Sequence, residues 1–275
     1  MIPCVSLNVR NQDFQGVTHM PRFVRGIVVL CISALMALTL GACVEKDFDP
    51  NDPKKSFGIA KEPFNDGHYD EAIKRLGEFK SRFPYSQFAS EAELLIADSH
   101  FQLEHFQESA AAYDTFVKLH PKHPKADYAT YRVAESYWED SPTAVSREQE
   151  YTEKAVTQWE EVVQKYPTTP LAQRAKDMIT QGRRRMAESV RFVARFYCQR
   201  EIWHACAYRY TQLLEKYPEQ KDVANEALER AAFALERVAD AKDKDPGSDK
   251  NLYHRSMTSQ QIREKAANLR RLMKS

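Results

Sequence analysis

Four segments of this chain fall into register on one another, and that register leaves few folds open. They are residues 72–84 (AIKRLGEFKSRFP), 109–121 (SAAAYDTFVKLHP), 155–167 (AVTQWEEVVQKYP) and 206–218 (CAYRYTQLLEKYP). Each opens on a small residue: Ala72, Ser109, Ala155, Cys206. Four positions on stands a bulky one, Leu76, Tyr113, Trp159 or Tyr210, and seven on another apolar one, Phe79, Phe116, Val162 or Leu213. Positions i, i+4 and i+7 share one face of a helix. The small residue admits a second helix at close range, and the larger ones fill the space beside it. Each segment closes on a ring and a proline, Phe83-Pro84, His120-Pro121, Tyr166-Pro167 and Tyr217-Pro218. Proline cannot continue a helix.

Another helical stretch precedes each segment, so the unit is a helix-turn-helix. In the first unit Asn65-Asp66-Gly67-His68-Tyr69-Asp70-Glu71-Ala72-Ile73 resembles a tetratricopeptide turn, its glycine closing one helix and its tyrosine packing in the hairpin. Proline-to-proline spacings are 37, 46 and 51 residues, against a tetratricopeptide period of about 34. The excess predicts a loop near 140–147 and a long helix over about 170–198. A fifth, degenerate pair is expected at 222–241 and 259–273, joined by a polar linker over 242–256. Glycine is scarce, 8 of 275 residues, and no alternating strand pattern appears. The expectation is an all-α fold, a tetratricopeptide-repeat superhelix of about five helix-turn-helix units. A globular bundle of unrelated amphipathic helices would not need matching residue classes in all four segments.

The N-terminus carries a second message. Arg22 and Arg25 precede an apolar run over 27–40, which is followed by Gly41, Ala42 and Cys43. The run has the length of a secretory signal core and is shorter than the ~20 residues of a membrane-spanning helix. Leu40-Gly41-Ala42-Cys43 resembles the lipobox of bacterial lipoproteins, in which the cysteine is acylated and becomes the first mature residue. That resemblance implies S-diacylglycerol and N-acyl chains on Cys43 as the only attached group, with no other cofactor. Val44 follows rather than an inner-membrane-retaining aspartate, so the periplasmic face of the outer membrane is the expected location. Residues 1–19, with Asp13 and Gln15, fit a signal poorly, and Met20 reads as the initiator. The expected organisation is therefore 1–19 as a non-native extension, 20–42 as signal peptide and 43–52 as linker. Repeats 1 and 2 take 53–122, and repeats 3 to 5 take 123–275.

From Cys43 onward the charges nearly balance, 37 basic against 38 acidic residues. Such a chain has no global electrostatic reason to bind nucleic acid. It contains no phosphate-cradling glycine loop, no nucleophile elbow and no zinc-type ligand spacing. His120 and His123 flank Pro121 without acidic or thiol company nearby in sequence, which reads as a turn and not as a metal site. The run Gly182-Arg183-Arg184-Arg185, continued by Arg191 and Arg195, reads first as a helix face balanced by glutamates, and otherwise as a docking surface for an acidic partner. Catalysis is not expected. Cys198 and Cys206 could pair in an oxidising compartment. The register, however, puts both in packing positions: Cys198 matches Phe64 and Phe101, and Cys206 takes the small-residue slot. Packing is the expectation.

Several stretches taken together resemble the BamD family of outer-membrane β-barrel assembly lipoproteins. They are the lipobox, Phe83-Pro84-Tyr85-Ser86, the stretch from His120 to Tyr128, and Ala194-Arg195-Phe196-Tyr197 with Arg200, Trp203, Ala205, Arg209 and Tyr217-Pro218. The resemblance covers about residues 43–220. It implies docking through the C-terminal repeats onto a periplasmic POTRA domain of the barrel-shaped insertase. It also implies reception of unfolded outer-membrane proteins by the N-terminal repeats, and company with other assembly lipoproteins. By matching position Arg209 is the first candidate for the insertase contact, a charge clamp to an acidic group, and Arg200 the second. Phe83, with Tyr85 beside it, is the candidate for substrate contact, core packing being the alternative for Phe83. Where the family has asparagine-proline this chain has His120-Pro121. The fourth turn's usual glycine is Glu201, which implies a slightly different hairpin there. The rival readings are a lipoprotein of pilus or secretin assembly and a coordinator of the cell wall. They are separated by the partner each would recover.

Overall fold

A ring followed by proline ends four of the helices, and the backbone shows how. The computed structural model describes residues 47–246 and 254–273; the signal segment and Cys43 lie outside these. Among the described residues run α1 (Pro53–Asn65), α2 (Tyr69–Arg82), α3 (Ala89–Gln102), α4 (Phe106–Leu119), α5 (Ala126–Asp140), α6 (Glu150–Lys165), α7 (Pro170–Gln199), α8 (Trp203–Lys216), α9 (Lys221–Lys244) and α10 (Ser259–Leu272). Phe83, His120, Tyr166 and Tyr217 cap α2, α4, α6 and α8 with φ between −127° and −130° and ψ between 51° and 57°. The following proline disfavours the helical region for each of them. Each ring residue's carbonyl then accepts the amide of the third residue on, at 3.0–3.1 Å from Ser86, His123, Thr169 and Gln220. These are four copies of one tight turn with proline in its second place.

Each helix packs against its neighbours in sequence, and α1 also meets α3 and α5 meets α7. Five hairpins thus stack in chain order, as in a solenoid where each unit touches only the next. The register sets the core. All twelve small, bulky and apolar positions, from Ala72 to Leu213, are at most 1% exposed. Phe57 and Phe83 flank Phe79 at centroid distances of 5.4 and 5.2 Å. Packing reaches back into the stretch read as linker, because Phe48 is buried beneath Arg75 and Arg82.

The hairpin turns correct the expectation at Glu201. Gly67, Glu104 and Glu201 all have positive φ, +78°, +59° and +57°. In each case the next amide bonds back five residues, His68 to Pro63, His105 to His100 and Ile202 to Tyr197, at 2.8–3.0 Å. The fourth hairpin therefore has the ordinary turn. A glutamate bears the left-handed conformation that glycine takes freely.

The cysteines are corrected too. Cys206 fills the small slot and is fully buried, yet it also forms a disulfide with Cys198, their Cα atoms 5.0 Å apart. Packing and bonding prove compatible because residues eight apart face each other across this turn.

The insertions fall where the spacing puts them. Residues 141–149 form the loop, and α7, 30 residues long, serves α6 with its first half and α8 with its second. Gly182 lies at the α6–α7 contact: a Cβ there would come within 2.4 Å of Val156 Cγ2. Only glycine permits that approach. At the end of the chain α9 buries Ala227, Ala231, Leu235 and Val238, and α10 covers them with Ile262 and Ala266. Thr258 and Gln261 cap α10 reciprocally. Lys242 secures the preceding turn by donating to the carbonyls of His254, Arg255 and Met257.

Candidate docking surfaces

The α7–α8 hairpin carries both arginines expected to meet the insertase. Arg200 caps α7 and lies over the Phe196 ring at 4.5 Å. Phe196 and Phe192, one turn apart, are 44% and 49% exposed, so rings and cation form a stripe along α7. Arg209, on α8, donates to Gln212 Oε1 at 3.0 Å and stands 5.9 Å from the Tyr208 ring. Neither arginine has a carboxylate partner among the described residues. Their charge is uncommitted.

The basic run is spent inside the molecule. Arg183 bonds Glu219 at 2.6 Å and the Lys216 carbonyl at 2.8 Å, and Arg184 pairs with Asp222 at 3.5 Å. Arg185 stacks on Trp138 at 3.6 Å and donates to Ser141 Oγ, pinning the start of the 141–149 loop. Arg195 grips Glu226 through two bonds of 2.8 and 2.7 Å, Arg191 reaches the same carboxylate at 3.6 Å, and the Tyr210 hydroxyl donates to it at 2.9 Å. The Arg195 hydrogen bonds hold Glu226 below the usual carboxylate range. Burial, then the bond to Glu226, pushes the Tyr210 phenol up to about 12. The acids that balance this run come mainly from α9 and the turn before it, with Glu188 of α7 pairing with Arg191 at 2.5 Å.

A related network joins α3, α4 and α5. Tyr113, in the slot Tyr210 occupies later, donates to Asp98, as does Tyr128 at 2.7 Å. Arg132 lies 3.6 Å over Phe101, donates from Nε to the Tyr113 oxygen at 3.1 Å and pairs with Glu135. Burial, and then Asp98, drive the Tyr113 phenol far above its ordinary value. These groups weld the second and third hairpins together.

At the first repeat the ring of Phe83 packs partly against Phe79, while Tyr85 projects fully into solvent. Of the two substrate-side candidates Tyr85 is the accessible one. His120 Nε2 meets Glu93 at 2.7 Å, and Glu93 also pairs with Lys80 at 3.0 Å. His123 lies edge-on to Phe116. His120 thus joins α2, α3 and α4 through Glu93, while His123 packs on α4 and reaches Ser90 of α3 at 3.5 Å.

Sequence reasoning missed both tyrosine networks. The available signal was tyrosine in a slot that leucine and tryptophan otherwise fill, since a buried hydroxyl demands a polar partner. Which acid answers it depends on helix stacking, and no local pattern encodes that.

Stacked helical hairpins held by a repeated small–bulky–apolar register, with unpaired arginines and exposed rings on the fourth unit, define a helical-repeat solenoid of the tetratricopeptide type. The family YfiO, described as outer membrane lipoprotein, matches residues 49–247. The chain belongs to that family. It is 24% identical over 215 residues to the outer membrane protein assembly factor BamD of Pasteurella multocida, covering 74% of this chain and 82% of that one. It is 25% identical over 219 residues to the protein of the same name from Vibrio cholerae, covering 75% and 90%. Among solved structures, the TPR2AB-domain complex of yeast Sti1 aligns with a TM-score of 0.41 at 13% identity, over 79% of this chain and 86% of that one.

Proposed function

We propose that this protein is a lipid-anchored scaffold of the outer-membrane β-barrel assembly machinery, working at the periplasmic face of the outer membrane. Relatives named as assembly factors, over most of their length, support the role in assembly. The lipobox supports acylation of Cys43, and no helix of the described residues is long and apolar enough to cross a membrane.

The C-terminal repeats dock the POTRA-bearing insertase, with Arg209 as charge clamp and Arg200 beside it. The N-terminal repeats receive unfolded outer-membrane proteins, with Tyr85 and Phe83 as contacts. Other assembly lipoproteins complete the complex. This is a binding role and not a catalytic one. One observation carries it: Arg209 and Arg200, at the positions that the family resemblance picks out, have no carboxylate partner among the described residues, whereas Arg183, Arg184, Arg191 and Arg195 close by each pair with an acid. A charge-assisted contact to a partner carboxylate is stronger than a neutral one.

The test is Arg209→Glu in the full lipoprotein, followed by co-purification of the insertase from solubilised outer membrane. Recovery falls several-fold if the clamp is real. Unchanged recovery removes Arg209 from the interface.

A further inference from the structure

We propose that Cys198 is a thiol–disulfide exchange site reached by a dithiol through the cavity between α7, α8 and α9, and that exchange there sets how firmly the fourth hairpin holds its docking residues. The second half rests on the docking role argued above; the first does not.

The hairpins themselves show what the disulfide replaces. In the first, Phe64 near the end of α1 meets Tyr69 at the start of α2, edge to face at 5.6 Å. In the second, Phe101 meets Phe106 in the same way at 5.3 Å. The equivalent residues of the fourth are Cys198 and Trp203. Trp203 turns away to Phe233 of α9, 5.5 Å off, while Cys198 bonds to Cys206. A covalent clasp thus stands where the first two turns have a ring clasp. Once it opens, no ring contact between those two positions remains to hold the helices together.

Access is one-sided. Cys206 is fully buried among Ala194, Tyr210 and Leu213. Cys198 is only partly buried, and it lines an open cavity of about 420 Å³ with Gln199, Trp203 and Phe233, flanked by Arg195 and Arg230. Glu226 also lines the cavity; Arg195 and Glu226 neutralise each other there, and Arg230 is left to favour the approach of a thiolate, the attacking form.

The chemistry balances with a dithiol as reductant. Its thiolate attacks Cys198 Sγ, the S–S bond breaks, and the electron pair leaves on Cys206 Sγ, which takes up a proton. The second thiol then attacks the reagent's own bonded sulfur and releases Cys198 as a thiol. The dithiol ends as a disulfide and the two cysteines are reduced. Arg200 lies between the cysteines and Arg209 one helical turn beyond Cys206, so a loosened clasp loosens both.

The acylated full-length protein in detergent provides the test. Brief exposure to reduced glutathione, acid trapping and peptide mapping should place the mixed disulfide on Cys198. Dithiothreitol should open the bond while helicity persists, raising amide exchange over 197–207 by roughly tenfold or more, with α3 to α5 unchanged. The double variant C198S/C206S should match the reduced state without any reductant. Glutathione on Cys206, a bond that resists dithiothreitol until the whole chain unfolds, or unchanged exchange after reduction each overturns the exchange site. Insertase recovery should be lower from reduced than from oxidised protein. Equal recovery overturns the coupling to docking, and recovery from neither state counts against the docking role itself, leaving the exchange site to the mapping.

Discussion

Glu201 takes the left-handed conformation that Gly67 takes, with φ of +57° against +78°, and the turn around each closes with the same pair of backbone bonds. An L residue with a side chain pays for that conformation, and glycine does not. Glu201→Gly should therefore stabilise the protein by about 0.5–1 kcal/mol in urea unfolding, with glycine's greater freedom in the unfolded chain already set against the relief. Glu104→Gly should do the same. Gly67→Ala should move stability the other way by a similar amount.

Tyr113 and Tyr210 occupy one register position but differ in what they support. Tyr210→Phe removes a single donor to Glu226, which keeps both bonds from Arg195. The expected cost is about 1 kcal/mol. Tyr113→Phe takes the acceptor from Arg132 Nε, whose side chain is only 14% exposed. That leaves a charged donor poorly paired, at an expected cost of about 2 kcal/mol or more. Parallel denaturant titrations of the two variants measure the difference, and equal costs would contradict the account of the α3–α5 network.

The C-terminal hairpin should be acid-sensitive. His254 is 4% exposed, with no hydrogen-bond partner for Nδ1. Burial, with Lys265 of α10, His204 of α8 and Lys242 of α9 as cationic neighbours, pulls its pKa from 6.5 down to about 4. Between those values the unfolded chain binds the proton and the folded one refuses it. Stability is thus full above pH 6.5 and falls as pH drops, by up to about 1.4 kcal/mol per unit, levelling off below pH 4. Hydrogen exchange in α10 as a function of pH reads this directly. His254→Asn should flatten the profile between pH 6.5 and 4.

Most of the fold was legible because its determinants are local. A period of 3.6 residues and a proline stop can be read without knowing any neighbour, and Leu76, Phe116, Trp159 and Leu213 are buried as their spacing required. Even the long α7 was legible, as excess spacing between two prolines. What escaped depends on stacking or on backbone geometry. Glu104 carries no local sign of its positive φ. Gly182 looked like part of a basic run, and only the approach of Val156 explains it. The site divides in the same way: Arg200 and Arg209 stood out by position, but that their charge is uncommitted while Arg183 and Arg195 are spent emerges only when α9 is laid beside α7.

The most direct measurement for the whole account is affinity purification of the acylated protein from detergent-solubilised outer membrane, with mass spectrometry of what comes with it. A POTRA-bearing insertase recovered in near-equal amount, with other assembly lipoproteins, is the result expected. Recovery of a secretin or of cell-wall machinery with no insertase, or of an unacylated protein outside the membrane fraction, would contradict it.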